Sequence, residues 1–371
     1  MKKITAILLL LAIFAPTLAS CTIKKIQEEY KNDRYFYECL RLADEGHNVL
    51  VEFDAVKGSA RIPCPDPLCD HGEGCVVSDI SGCSTSRNCV YFYKDGFRCY
   101  NPARNEIKLI FESGAQVFGP GQGVGNTVYF TVYSYDYDDS GMIIGGGYDI
   151  YGYDEQTHKL EKLTQEKLAN KVDFVECKEE KIIWSFFGEG QYTTDLNFQN
   201  KTPYEAPKED YTLEINSRLP HSGVAFECCK TDNASGEKTL VFPPASSYRY
   251  ASYEKKDSFF YIPAKLVQTG VNEVTGEPEY TYYPTKNHVY VNAHDTSDTY
   301  TWEFPKGVGI TTAFMHADNH LDVGKYVAFP CNKTERGEAG ERHTYGGIFV
   351  VDTETKETFT LFYGEQSRII E

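Results

Sequence analysis

A hairpin pattern that recurs along the chain places the strongest limit on its fold. Each copy consists of an alternating apolar strand, an Asp or Asn, about four turn residues and a second alternating strand. The four clear copies have Asp54, Asn101, Asp154 and Asp352 at the turn position. A side-chain oxygen there caps backbone donors of the turn, and alternation with a period of two buries one face of each strand. The pattern therefore predicts a chain of antiparallel hairpins.

The spacing of the copies indicates how the hairpins are assembled. The first two intervals are 47 and 53 residues, and the last gap of 198 residues has room for three more units. Weaker copies lie in that gap, around Asp195, Asp232 and Asp295. A period of about 50 residues is the upper range for blades of four strands. We therefore predict an all-β fold, a β-propeller of about seven (six to eight) four-stranded blades, in preference to a pair of β-sandwiches.

Apolar runs that precede the hairpin copies predict the inner strands of the blades. They lie at residues 126–132, 181–187, 258–262 and 324–329. Residues 265–284 interrupt the repeat and predict a protruding hairpin, whereas the Gly- and Asp-rich residues 136–147 predict a blade loop. Tyrosines such as Tyr133 and Tyr135 alternate along a strand, which favours half-buried packing with the hydroxyls in water.

The amino-terminal residues indicate where the chain works. Lys2 and Lys3 precede an uncharged run at residues 4–17, which is long enough to start translocation but short for a membrane span. The run ends in Leu18-Ala19-Ser20-Cys21. These residues resemble the bacterial lipobox, whereas the alternative is an ordinary secretory signal with an incidental cysteine.

The lipobox resemblance implies a lipoprotein signal peptide at residues 1–20 and a diacylated Cys21 that becomes the mature amino terminus. Residues 21–33 would then form a lipidated tether, and residues 34–371 the propeller domain. Because two acyl chains anchor a protein stably, we expect a lipid-anchored, extracytoplasmic protein of the bacterial cell membrane. A formal net charge of −17 without a basic patch predicts that nucleic acid is not a partner.

A Cys-rich insertion at residues 64–99 contains the sharpest chemical motif. Cys64, Cys69, His71 and Cys75 place three thiols and one imidazole within twelve residues, which matches the ligands of a closed, structural zinc site. The alternative is a disulfide, because the chain has twelve cysteines and the compartment permits disulfides. The alternative pairings join Cys64 with Cys75, or either of them with Cys83, Cys89 or Cys99.

Residues 53–83, in which a hairpin ends in the Cys-x4-Cys-x-His cluster, resemble a motif of uncharacterised surface lipoproteins of anaerobic bacteria. The resemblance implies a propeller-like fold and brings no known activity. A second metal-capable run, with His316, Asp318, His320 and Asp322, is predicted to be an ordinary solvated loop because no third imidazole is near it.

The motifs favour a binding or interaction module over an enzyme. The Gly-rich residues 119–125 lead into a predicted strand, whereas a phosphate cradle needs a following helix. We therefore predict that end loops of the propeller bind a glycan, a peptide or an envelope protein. The alternative is a propeller-fold hydrolase, a glycosidase or lyase, with carboxylates converging at the axis.

Overall fold

The computed structural model describes most of the chain from Arg34 onward. The described residues are 34–41, 47–72, 74–86, 88–112, 114–205, 210–218, 225–253, 256–310, 322–337 and 342–363. Cys21, the signal peptide and the tether lie outside them, as do His316, Asp318 and His320. All regular elements of the described residues are β-strands, which confirms the all-β prediction. None of the described segments is a helix with the length and hydropathy needed to cross a bilayer.

The described strands form six antiparallel sheets. The first has three strands: β1 (Tyr35–Arg41), β2 (Asn48–Asp54) and β3 (Ser59–Arg61). The second has four: β4 (Cys83–Thr85), β5 (Val90–Tyr93), β6 (Phe97–Asn101) and β7 (Glu106–Phe111). The third has four: β8 (Gln116–Gln122), β9 (Thr127–Tyr137), β10 (Ile143–Asp154) and β11 (Lys159–Lys162). The fourth has four: β12 (Val172–Lys178), β13 (Lys181–Phe186), β14 (Gly190–Thr194) and β15 (Thr202–Pro203).

The last two sheets have more strands. The fifth has seven: β16 (Tyr211–Arg218), β17 (Ala225–Asp232), β18 (Lys238–Tyr253), β19 (Lys256–Val271), β20 (Pro278–Pro284), β21 (Asn287–Asn292) and β22 (Thr299–Glu303). The sixth has five: β23 (Val308–Ile310), β24 (Asp322–Val323), β25 (Tyr326–Arg336), β26 (Arg342–Asp352) and β27 (Thr358–Tyr363). The fifth sheet joins strands that the 50-residue period would divide, because β19 pairs with β18, β20 and β21.

The predicted hairpin turns are confirmed. Oδ1 of Asp154 accepts hydrogen bonds from the backbone nitrogens of Gln156 (2.9 Å) and Thr157 (2.6 Å). The same pair of bonds forms in the turns that begin at Asp54, Asp232, Asn272 and Asp352. In these turns the fifth residue has a positive φ, which glycine adopts without steric cost at Gly58, Gly236 and Gly276. The Asn272 turn closes the protruding hairpin that residues 265–284 predict.

The chain contacts divide the molecule into two compact units: Cys83–Glu205, and Arg34–Gly82 together with Ala206–Glu371. In the first unit, consecutive sheets pack face to face. Buried Tyr91 and Phe97 of the second sheet contact the Phe130 ring of the third. Tyr129 of the third sheet packs edge-on against Trp184 of the fourth, with ring centroids 5.9 Å apart. Each sheet therefore buries apolar side chains against its neighbour.

The second unit contains the same face-to-face packing and brings the two ends of the described chain together. Phe260 of the fifth sheet packs on Phe329 of the sixth, with ring centroids 5.1 Å apart. The first sheet shares a buried core with the sixth, which includes Phe53 beside Ile348 and Val350. The first and last sheets of the described chain are thus packing partners.

Candidate metal centre and exposed hairpins

A run of tight turns follows β3 and folds the Cys-rich segment back on itself. The backbone nitrogen of Cys69 donates to the carbonyl of Asp66 (3.3 Å), and that of Cys75 donates to the carbonyl of Gly72 (2.9 Å). The side chains of Asp66 and Asp70 cap further backbone nitrogens of the same turns. Ligands that are separated by up to eleven positions in the sequence therefore meet within one loop.

The four predicted ligands converge. One ligand atom from each of Cys64, Cys69, His71 and Cys75 lies within 4.8 Å of all the others. The Cys75 Sγ atom is 3.7 Å from Cys64 Sγ and 3.7 Å from His71 Nδ1. A tetrahedral zinc ion with Zn–S bonds of about 2.3 Å needs sulfur–sulfur separations of about 3.8 Å. The Cys3His group therefore has the ligand types and spacing to bind a metal ion such as zinc.

The His71 backbone is held from two sides. Its φ of 59° lies in the left-handed region, which is uncommon for a residue with a Cβ. Its carbonyl oxygen accepts hydrogen bonds from Ser78 Oγ (2.7 Å) and from His47 Nε2 (3.2 Å). These bonds fix the orientation of the peptide and so direct the imidazole toward Cys75, which is the role of supporting groups around a metal ligand.

The carboxyl end of the loop is attached to strand β2. The backbone nitrogen of Leu50 donates to Val77 (2.9 Å), and that of Asp79 donates to Asn48 (2.6 Å). The side chains of Val77 and Ile80 are buried. The ligand cluster is thus tied to the first sheet by both backbone pairing and burial.

The thiols of the cluster lie at the spacing of metal ligands and are not joined by a local disulfide. No disulfide joins Cys64, Cys69 or Cys75 among the described residues, and the Cys64–Cys75 sulfur separation of 3.7 Å exceeds the roughly 2.05 Å of a disulfide bond. Burial raises the pKa of the Cys64 thiol to about 12. A bound divalent ion displaces the proton of such a thiol and supplies the charge that stabilises the thiolate.

Two hairpins extend beyond their sheets. The tyrosine ribbon, residues 133–148 of β9 and β10, continues past the end of β8, which pairs with β9 only as far as Tyr133. The second ribbon, residues 264–284, consists of β20 and the end of β19. In the tyrosine ribbon Tyr137, Ile143 and Ile144 are 58–68% exposed. The predicted blade loop at residues 136–147 is therefore mostly paired strand.

The sequence pattern did not identify all of the residues that shape these sites. His47 and Ser78 lie outside the run of four ligands at residues 64–75, and no local signal in the sequence marks them as supports of His71. The alternation of Tyr133 and Tyr135 predicted strand correctly. Tyr135 is nevertheless 37% exposed, because the strand continues past its sheet.

The most buried carboxylates have structural partners. Glu52 accepts hydrogen bonds from Tyr37 (2.7 Å) and Arg61 (2.6 Å). Glu155 accepts from Tyr91 (2.5 Å) and Asn88 (2.8 Å), and its burial raises its pKa. Glu52 is thus bonded within the first sheet, whereas Glu155, which follows β10 of the third sheet, is bonded to Tyr91 of the second.

Comparisons with known proteins place the chain in no family. No family model matches the sequence, and no curated protein matches it. Among solved structures, it is similar to an oligogalacturonate lyase from Vibrio parahaemolyticus, with 10% identity, 90% of each chain covered and a TM-score of 0.36. For TolB from Acinetobacter baumannii the identity is 9%, the coverage 90% of this chain and 64% of that chain, and the TM-score 0.31.

A third solved structure is the WD40 domain of SCAP from fission yeast, with 9% identity, 89% and 88% of the two chains covered, and a TM-score of 0.31. All three scores lie below 0.5. The sheets of this chain therefore define its fold.

Proposed function

We propose that the chain is a lipid-anchored, extracytoplasmic β-propeller that acts as a binding module for a glycan, a peptide or an envelope protein. The observation that carries the binding role is the pair of ribbons, which expose tyrosine and aliphatic side chains beyond their sheets. Exposed aromatic and aliphatic groups that are rimmed by polar residues are typical of interaction sites. The lipid anchor at Cys21 rests on the lipobox resemblance.

The propeller arrangement is supported by the order in which the sheets pack. Within each unit, sheets that follow one another in sequence share a buried core. The first sheet also packs on the last, which a ring requires and an open stack does not. A ring of blades would hold hairpin ends in fixed positions and so present the ribbons on a rigid support.

Zinc is proposed as a structural ion, bound by Cys64, Cys69, His71 and Cys75. Four protein ligands complete the tetrahedron and leave no position for a substrate. The ion would fasten the loop that leads from β3 to the second sheet. The ion would stabilise the folded chain, because the free energy of metal binding adds to the free energy of folding.

A binding experiment on the purified chain tests the proposed function. We expect saturable binding to one member of a panel of glycans, extended peptides and envelope proteins. A Tyr137→Ser/Tyr283→Ser variant should weaken it, because these side chains are 59% and 50% exposed on the two ribbons. Binding to no panel member would contradict the proposal, and turnover of a glycan into smaller products would favour the hydrolase alternative.

Cell fractionation tests the anchor separately. The full chain should be found in the membrane fraction, and Cys21→Ala should move it to the soluble fraction because the two acyl chains are lost. A Cys39→Ala variant, which changes a thiol in β1, is the matched control. Membrane association that persists in Cys21→Ala would contradict lipid anchoring.

A further inference from the structure

The geometry points to the tyrosine ribbon as a docking surface for a basic, extended polypeptide segment. This inference rests on the proposed binding function and names both the surface and the class of ligand. Three properties of the ribbon carry it: open backbone edges at residues 134–146, exposed aromatic and aliphatic side chains, and an acidic composition.

The backbone edges of the ribbon can accept another strand. On one side β8 ends its pairing opposite Tyr133, and on the other β11 pairs with β10 at residues 151–154 and Leu168 bridges to Tyr148. Within the described part of the chain, no further strand lies along residues 134–146. The β10 edge there contains Gly145 and Gly146, whose small size lets a peptide backbone approach closely. An extended peptide can therefore add by main-chain hydrogen bonds.

The ribbon is held in shape before any ligand binds. At its tip the Asp138 Oδ1 atom accepts hydrogen bonds from the backbone nitrogens of Ser140 and Met142, both at 2.9 Å. The rings of Tyr133 and Tyr135 pack edge to face with centroids 5.0 Å apart, and Tyr133 and Tyr148 pack at 4.8 Å. A preorganised surface loses less conformational entropy on binding.

The side chains favour a polypeptide over a glycan. Met142, Ile143 and Ile144 are 58–68% exposed. These side chains offer dispersion contacts but no strong donor or acceptor for the hydroxyl groups of a sugar. Tyrosine and methionine are enriched in protein–protein interfaces. Side chains of an added strand would lie beside these exposed apolar residues.

The charge of the ribbon selects a basic ligand. Residues 133–148 contain Asp136, Asp138 and Asp139 and no lysine or arginine. One lysine from outside the ribbon, Lys167, pairs with Asp136, so a net negative charge remains. Insertion of the tip into a bilayer would bury Asp138 and Asp139 at high cost. A second copy of this chain, with its formal charge of −17, would be repelled, whereas a lysine-rich strand would be attracted.

Fluorescence anisotropy with two labelled decapeptides tests the inference on the intact protein. One peptide alternates lysine and valine, and the matched peptide alternates glutamate and valine. We expect the wild type to bind only the basic peptide. Tyr137→Ser/Ile143→Ser should weaken that binding at least about tenfold, as the loss of a central apolar contact does. Phe187→Ser removes a ring that is 76% exposed in the turn after β13 and should leave binding unchanged.

A charge-reversal variant, Asp139→Lys, provides a second readout that does not remove apolar contacts. It should weaken binding of the basic peptide at low salt, with a smaller effect at high salt because exposed charges are screened. Equal binding of both peptides would overturn the inference, as would full binding by both ribbon variants. If a labelled neutral oligosaccharide bound instead, and the Tyr137→Ser/Ile143→Ser variant no longer bound it, the proposed class of ligand would be wrong. If the protein bound another panel member at a site away from this ribbon, the proposed function would stand and only this inference would be refuted.

Discussion

Glu38 makes the stability of the first sheet depend on pH. This carboxyl lies on β1, opposite Val51 of β2, and burial raises its pKa from 4.5 to about 7. Between these two pH values the folded chain keeps a proton that the unfolded chain releases. The free energy of unfolding therefore falls as pH rises through this window.

Replacing Glu38 with glutamine should remove that pH dependence. The variant keeps the shape of the protonated side chain and cannot ionise, so we expect it to be more stable than the wild type above pH 7 by about 3 kcal/mol. The two proteins should be nearly equal near pH 4.5. Urea unfolding at both pH values measures the difference. An equal gain at both would show that Glu38 is not the titrating group.

For single residues, the sequence predicted the turn caps but not the buried charges. An Asp at the first turn position bonds to backbone nitrogens two and three residues later, so its role is set by local spacing. Cys64, Cys69, His71 and Cys75 were identifiable for the same reason, because one loop contains them all. The supports of the site, His47 and Ser78, depend on how the loop packs against β2. That packing has no local pattern.

Among the secondary-structure elements, the hairpin between β17 and β18 offers a direct test of the turn geometry. Gly236 has a φ of 74° and open space around its Cβ position, so only the backbone conformation opposes a side chain there. Gly236→Ala should lower the free energy of unfolding by about 1 kcal/mol.

Gly309 in β23 is the matched control, since its Cβ position is also open and its φ is not in the left-handed region. Gly309→Ala should be neutral or stabilising by a few tenths of a kcal/mol, because alanine restricts the unfolded chain. Chemical denaturation of both variants measures the contrast. Equal effects would mean that positive φ does not decide the outcome.

Strands were predictable where alternation and turn residues coincide, as in the β10–β11 and β26–β27 hairpins. The four-stranded sheets of residues 83–205 match the predicted repeat. The seven-stranded sheet does not, because β18 and β19 are each sixteen residues long and pair beyond one blade. Strand length depends on cross-strand partners that a short sequence window does not contain.

For the whole molecule, the shared core of the first and last sheets ties together residues almost 300 positions apart. Phe53 is fully buried in that core beside Ile348 and Val350. We expect Phe53→Ala to cost about 3–5 kcal/mol, as large core truncations do. Amide hydrogen exchange should accelerate in β26 as well as in β2, because the two sheets stabilise each other.

The control is Phe187→Ala, which removes an exposed ring and should change stability by less than about 0.5 kcal/mol. If β26 kept its protection in Phe53→Ala, the first sheet would not be needed to stabilise the last. The proposal that the sheets form a ring would then lose its main support.

Native mass spectrometry of the intact chain measures the metal content of the whole molecule. We predict one zinc ion per wild-type chain, retained in the control Cys177→Ser and absent from Cys69→Ser/Cys75→Ser. The double variant should also unfold at lower denaturant concentration, because metal binding contributes to folding. A metal-free wild-type chain whose mass is lower by two hydrogen atoms, with a Cys64–Cys75 disulfide found after proteolysis, would contradict the zinc centre.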